Sequence, residues 1–335
     1  MPRAAVLLPV RDAARTLRAA AVSMLRQTWR DLALVCVDDG STDATPAVLD
    51  RLAARDRRVR VVRAPANEGI ARALTRGLAA CDADVVVRMD ADDLAHPARV
   101  ATLLAALDAD PSLAAAGSRV RLFPRRAVKP GMARYAAWLN GLVTPALVAR
   151  DLLVEAPLVH PAAAIRRADL ERVGGWRAGD FPEDYDLWLR LAAAGRRLTN
   201  VPDTLLAWRE SGARLTRTDP RYRLDRHVAL KCAHLAAGWL AGRTEVALWG
   251  AGETGRAFAD ALLPHGIRPA LFVDVDPRKI GRTKRGAPVV GVDALARVRG
   301  LPLLVAVGAP GARDLIRAEL ARAGFQEGAG YVVVS

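Results

Sequence analysis

Alternation is the feature that most constrains this chain: over the first 120 residues, short β-rich runs take turns with longer helical patterns. AAVLLPV, LALVCVDD, VRVVRAP and DVVVRMD read as strands, and ARTLRAAAVSMLRQT, TPAVLDRLAARD and GIARALTRGLAAC place apolar residues at helical spacing between them. A parallel sheet needs crossover helices of this kind, so the pattern predicts a doubly wound α/β fold. Such sheets bind ligands beyond the carboxyl ends of their strands. Asp38, Asp39, Asn67, Asp90 and Asp92 fall at those ends.

The 335 residues fill two domains, each long enough to bury its own core. A formal net charge of +14 raises nucleic acid or an anionic membrane as partners, but the charge is spread out, with 12 basic and 9 acidic residues in 244–335. Basic stretches interleaved with aromatics are missing, so nucleic acid is not expected as a partner, whereas attraction to an anionic membrane or a phosphorylated acceptor fits. Cys36, Cys81 and Cys232 form no CxxC and no metal spacing with the histidines, which fits a reducing cytoplasm. The first apolar run stops at Pro9 and reads as a strand rather than a signal peptide. With no uninterrupted run of 18 apolar residues, any membrane contact is expected to be peripheral.

Three strand ends carry the candidate chemistry. VDDGSTD sets two carboxylates before a glycine turn and a capping Ser or Thr, and also reads as an ordinary polar strand-to-helix turn. Asn67 and Gly69 follow the next strand. MDADD then places Asp90 and Asp92 around Ala91, an arrangement that suits a hard divalent cation such as Mg²⁺ or Mn²⁺ holding a diphosphate. It also reads as an acidic helix start capped by Asp92 or Asp93. Further on, EDYD is an acidic helix start whose Asp184 and Asp186 complement the helix dipole while Leu187, Trp188 and Leu191 pack inward.

Taken in order, LLPVRDAARTL, QTWRDLALVCVDDGSTD, NEGIARALTRGL and VVVRMDADDLAHP resemble the family 2 glycosyltransferases of GT-A fold, and HPAAAIRRADLERVGGW and FPEDYDLWLRLAAAGRRLTNVPDTLLAWR extend the likeness to about residue 220. The resemblance implies a mixed, mainly parallel sheet flanked by helices, a UDP-, GDP- or TDP-sugar donor and inversion at the anomeric carbon. It lays Pro9, Val10 and Arg11 along the nucleotide, faces Asp39 to the base with Asp38 supporting the turn, and adds Asn67 and Gly69 to the donor side. Asp90 and Asp92 would hold the donor's ribose and the metal, Asp92 being the direct ligand. Glu183 and Asp184 match the acidic pair below a saccharide or lipid-linked acceptor, with Asp184 as general base; an inverting transfer needs a carboxylate to take the acceptor's proton. His160 and Trp188 would lie on the acceptor side. The chain departs from the pattern at Thr75, where many relatives carry Asn, and after Trp208, Arg209 and Glu210, where the usual His is missing.

Past a helix read as a linker over 223–243, EVALW leads into Gly250, Gly252 and Gly255, a G-x-G-x-x-G that opens a helix, and Asp274 ends the next strand. Such glycines allow close approach to a pyrophosphate and the acid can bind a ribose hydroxyl. They also serve strand-to-helix packing alone. The expectation is a transferase domain over 1–222 and, over 244–335, a smaller Rossmann-like module that takes NAD(P) or another nucleotide. The competing expectation is an NAD(P)-dependent oxidoreductase or sugar-modifying enzyme centred on that motif.

Overall fold

The computed structural model describes residues 2–212 and 214–335 and separates them into two compact units. The first runs from the N-terminus to Ala149 and adds Pro157–Gly179 and Glu183–Thr218; the second comprises Arg150–Ala156, Asp180–Pro182 and Asp219–Ser335.

In the first unit the chain order is β1 (Ala4–Val10), α1 (Leu17–Leu25), β2 (Leu32–Asp38), α2 (Thr45–Arg55), β3 (Val59–Arg63), α3 (Ile70–Ala80), β4 (Val85–Arg88), β5 (Leu94–Ala95), α4 (Arg99–Ala109), β6 (Leu113–Phe123), α5 (Pro130–Gly141), α6 (Pro145–Asp151, which ends in the second unit), β7 (Ala164–Arg166), α7 (Arg167–Arg172), α8 (Glu183–Ala193), β8 (Arg197–Arg209) and α9 (Leu215–Thr218). Eight strands form one sheet in the order β3-β2-β1-β4-β7-β6-β8-β5. The first four lie parallel, β7 runs antiparallel to both its neighbours, and β6 and β8 pair in parallel over almost their whole length. Every residue of β2 is buried, as expected of an apolar run covered on both faces, while edge strand β3 is only partly covered.

Two local choices position the site. The short β5 pairs antiparallel with Leu206 and Ala207 of β8, which brings the residues after β4 to the carboxyl end of β8. Between Ser118 and Arg150, β6 continues to Phe123 along β8, and α5 starts at Pro130, whose fixed φ suits a first helical position.

The second unit contains α10 (Leu224–Ala237), β9 (Glu245–Trp249), α11 (Glu253–Leu262), β10 (Arg268–Val273), β11 (Thr283–Lys284), β12 (Ala287–Val290), β13 (Leu303–Val305), α12 (Ala312–Arg322) and β14 (Tyr331–Val333). Its sheet is ordered β11-β12-β10-β9-β13-β14, all parallel apart from the β11–β12 pair. Helix α10, read as a linker, buries Val228, Cys232 and Leu235 in this unit's core and so belongs to it.

Candidate active site

The strand-end loops of the first unit are tied to one another. Asp38 Oδ1 accepts from the Ser41 amide (3.0 Å), while the Asp39 carboxylate accepts from the amides of Glu68 (2.8 Å) and Gly69 (3.0 Å), across to the loop that caps α3. The Asn67 side-chain oxygen shares the Gly69 amide (3.2 Å). Gly40, at φ +69°, permits this junction: a Cβ there would lie 2.5 Å from the Ala66 carbonyl carbon. Val10 is buried and its carbonyl accepts from the Asp39 amide, whereas Arg11 is exposed and pairs with Asp12 (3.7 Å). Pro9, facing Val37 in β2, is partly exposed.

Asp12 is a residue that the sequence reading missed. It adopts φ +48°, a left-handed conformation that Asp tolerates better than most residues, and its carboxylate accepts from the amides of Thr42 (2.7 Å) and Asp43 (3.2 Å). The loop after β1 is thereby fastened to the loop after β2.

The acidic cluster lies after β4. Asp90, Asp92 and Asp93 present carboxylate oxygens within 4.8 Å of one another. Beneath them are two buried guanidinium groups. Arg88 donates to Asp90 Oδ1 (2.6 Å) and to the Met89 carbonyl (2.6 Å); Arg99 donates to the carbonyls of Arg88 (2.6 Å) and Pro161 and rests against the Met89 sulfur (3.2 Å). Burial brings the Arg99 pKa down to about 10, so it stays charged at neutral pH. From β8, Arg209 donates its amide to Asp93 Oδ1 (2.7 Å) and its Nε to the Asp92 carbonyl (2.7 Å).

This support leaves the carboxylates under-compensated. Burial, and then the charge of Asp90, pushes the Asp92 pKa up to about 6. Burial and the charges of Asp90 and Asp92 raise Asp93 well above the usual carboxylate range, and its Oδ2 is buried with no partner among the described residues. A buried oxygen of this kind costs about 1–3 kcal/mol or more. Three hard oxygen donors, one of them orphaned, fit a divalent cation of the Mg²⁺ or Mn²⁺ type.

The second acidic station starts α8. Glu183 is buried, with its carboxylate 3.9 Å from His160 Nδ1, whereas Asp184 is partly exposed and its Oδ1 accepts from the Tyr185 amide (2.8 Å). Trp176 Nε1 donates to His160 Nε2 (2.9 Å), so Nδ1 carries the ring proton. Burial, and then the charge of Arg88, depresses the His160 pKa well below its ordinary value. Arg88 thus meets Asp90 directly and acts electrostatically on His160, which faces Glu183. Asp186 holds Arg190 (2.7 Å), whose guanidinium also donates to the carbonyls of Val173 and Gly175, fixing the helix start against the glycine turn.

Trp188 requires a correction. It is fully buried and meets the His160 ring edge-on with centroids 6.0 Å apart, so it supports that ring from within the core and offers no surface to an acceptor. Its helical spacing already allowed this inward packing. His160 itself is only 5% exposed, a position suited to orienting Glu183. Thr75 donates to the carbonyls of Ala71 (2.9 Å) and Trp176 (3.3 Å). Glu210, where the expected His is missing, is buried and paired with Arg214 and Arg217.

In the second unit a cavity of about 410 Å³ opens at the carboxyl ends of β9, β10 and β13, lined among others by Gly252, Asp274, Lys279, Val307 and Leu315. At Gly255 a Cβ would fall 1.8 Å from the Gly250 carbonyl oxygen, so this glycine serves helix-to-strand packing; at Gly252 a Cβ would meet only open space. Asp274 Oδ2 accepts from the Ala251 amide (2.8 Å) and Lys279 (3.0 Å), and Oδ1 from the Asp276 amide (2.9 Å). Burial works to raise its pKa, but these donors outweigh it and hold the group below its ordinary value.

Comparison with known proteins agrees with the first unit's architecture. The chain is 27% identical over 228 residues to the putative glycosyltransferase EpsE of Bacillus subtilis, covering 67% of this chain and 79% of that protein. It is 28% identical over 140 residues to the amylovoran biosynthesis glycosyltransferase AmsE of Erwinia amylovora, covering 42% of this chain and 50% of the relative. Among solved structures, the mannosyltransferase PcManGT of Pyrobaculum calidifontis, in complex with GDP-Man and Mn²⁺, superposes with a TM-score of 0.54 at 20% identity, over 97% of this chain and 81% of its own. A TarS fragment from S. aureus in complex with UDP-GlcNAc gives 0.56 at 16% identity, over 78% and 72%. These neighbours share the GT-A-type fold. The family model described as glycosyl transferase family 2 matches residues 5–174, just over half of the sequence, and on that match, with the fold that carries it, the chain belongs to the family 2 glycosyltransferases.

Proposed function

We propose that this glycosyltransferase moves a sugar from a nucleoside-diphosphate sugar to a hydroxyl acceptor with inversion, in the synthesis of a cell-surface polysaccharide. The observation that carries the reading is the under-compensated cluster of Asp90, Asp92 and Asp93 at the carboxyl end of the sheet. The molecules held in the structural neighbours' complexes, GDP-Man with Mn²⁺ and UDP-GlcNAc, support the donor class. The names of the amylovoran biosynthesis glycosyltransferase AmsE and the O-antigen biosynthesis protein RfbC of Myxococcus xanthus support the process.

In this reading Pro9, Val10, Arg11, Asp38, Asp39, Asn67 and Gly69 form the nucleoside cradle, its shape held by the Asp39 bonds to the α3 cap. Asp92, with Asp90 and Asp93, would hold a divalent cation, which would supply positive charge to neutralise the departing diphosphate. Arg88 and Arg209 keep the carboxylates in place. Asp184 takes the proton from the acceptor hydroxyl as its oxygen bonds to the anomeric carbon; the bond to the diphosphate breaks on the opposite face. Glu183, fixed beside His160, orients the start of α8. In the second unit, the cavity beside Gly250 and Gly252 is an accessory site for a nucleotide, with NAD(P) as one candidate.

A thermal-shift screen of UDP-, GDP- and TDP-sugars with and without Mn²⁺, together with NAD(H) and NADP(H), tests the assignment. Stabilisation by one sugar nucleotide that requires metal and disappears in Asp92→Ala is the expected result. A response to NAD(P) alone, unchanged in Asp92→Ala, would move the chemistry to the second unit.

A further inference from the structure

The stretch 111–149 carries six cations and no acid, in a chain whose charge is otherwise interspersed. Arg119 is partly buried and bonds to the Asn140 carbonyl (2.8 Å). The other five, Arg121, Arg125, Arg126, Lys129 and Arg134, are exposed, and among the described residues none pairs with a carboxylate. Lys129 is the N-cap of α5, the end of a helix where its dipole disfavours positive charge, and Arg125 and Arg126 lie in the short 3-10 turn that precedes it. The fold gains nothing from cations placed there, and their exposed ammonium and guanidinium groups lie open to an external anion.

We propose that these five cations form a docking surface for a bilayer of anionic phospholipid. Clusters of four to eight Lys and Arg residues beside an amphipathic helix are the charge pattern that acidic head groups attract. Single-stranded nucleic acid is a poorer match because the neighbouring aromatics offer no platform: Tyr135 and Trp138 stack on each other (5.8 Å between centroids) and pack against the core. The surface also begins at the rim of the acidic cluster. Phe123, at the end of β6, lies under the Arg209 guanidinium (4.4 Å) and its carbonyl accepts from the Glu210 amide (2.7 Å), while the Arg209 amide holds Asp93. Docking would therefore turn the cluster's rim toward the bilayer, where a lipid-linked acceptor is presented; this last step rests on the transferase reading, and the docking itself does not.

Flotation of the full chain with phosphatidylglycerol–phosphatidylcholine vesicles at moderate salt, against pure phosphatidylcholine, tests the proposal. Binding to the anionic vesicles alone is expected. The variant Arg125→Gln/Arg126→Gln/Lys129→Gln/Arg134→Gln should lose about fivefold in partitioning per cation, or roughly several hundredfold together. The matched variant Arg51→Gln/Arg55→Gln/Arg57→Gln/Arg60→Gln removes four exposed cations from a region interspersed with Asp50 and Asp56 and should retain most of the binding. No binding to anionic vesicles, equal binding to neutral ones, or equal loss in the two variants would overturn the proposal. Asp92→Ala should float as the native chain does, so failure of the metal-site reading and failure of docking are separately visible.

Discussion

Asp93 and Asp274 both follow strands at the carboxyl edge of a parallel sheet and both are buried, yet their surroundings are opposite. Asp274 has three donors for two oxygens and is held below its usual pKa; Asp93 has one oxygen bonded and the other orphaned, and burial, followed by two neighbouring acids, pushes its pKa up. A carboxylate that the protein satisfies fully does structural work whether or not a ligand comes. One left short of positive charge has unspent capacity for a cation. The two sheets thus use the same residue type at equivalent edges for different ends.

The largest effect is expected where that unspent capacity meets chemistry. Asp184→Asn should lower the turnover rate by about 10²–10⁴-fold while donor binding, read by thermal shift, persists. Full activity in this variant would remove the proposed base. Next, Asp274→Ala should destabilise the second unit by about 2–4 kcal/mol because it strands two backbone amides and Lys279. A change in its unfolding below about 0.5 kcal/mol would break the contrast at its satisfied end. Mn²⁺ at about 100 times its Kd should stabilise the first unit by about 2.7 kcal/mol, and Asp92→Ala should abolish the shift.

A pH experiment sharpens the contrast by a smaller amount. His160 stays neutral when folded below the pH at which the unfolded chain takes up a proton, so the unfolded state binds more protons in that window. Stability should therefore fall as pH drops below about 6.5, by up to about 1.4 kcal/mol per unit from this residue. Wild type and His160→Gln, compared by denaturant melts across that range, should differ in slope; identical slopes would contradict the buried neutral imidazole. The smallest effect is a gain: Asp93→Asn, measured without metal, should stabilise the chain by about 1 kcal/mol by removing an under-compensated charge while leaving an acceptor for the Arg209 amide.

Much of the first unit was legible because its signals are local. Strand runs leading to Asp38, Asp39, Asp90 and Asp92 mark the carboxyl edge of a parallel sheet through their periodicity. What stayed hidden depends on distant partners. Asp93 looked like a helix cap until β8 delivered the Arg209 amide from 116 residues away, and no local pattern set Arg88 and Arg99 apart as the arginines that the fold buries beneath the acids. Asp12 carried a faint signal, a polar residue straight after a strand, but its left-handed backbone follows from bonds to a different loop. Trp188 failed for another reason: a motif position implied a role on the acceptor side, while the helical stripe that buries it pointed inward.

The small pairing of β5 with β8 has a consequence for how the protein is made. Synthesis proceeds from the N-terminus, and the DADD sequence leaves the ribosome more than a hundred residues before the strand that completes its surroundings. Until Leu206, Ala207 and Arg209 arrive, the nascent chain carries three neighbouring acids without the strand that gathers them. A product truncated at the limit of the family match, residue 174, would keep every letter of that motif and lack the Arg209 amide that holds Asp93.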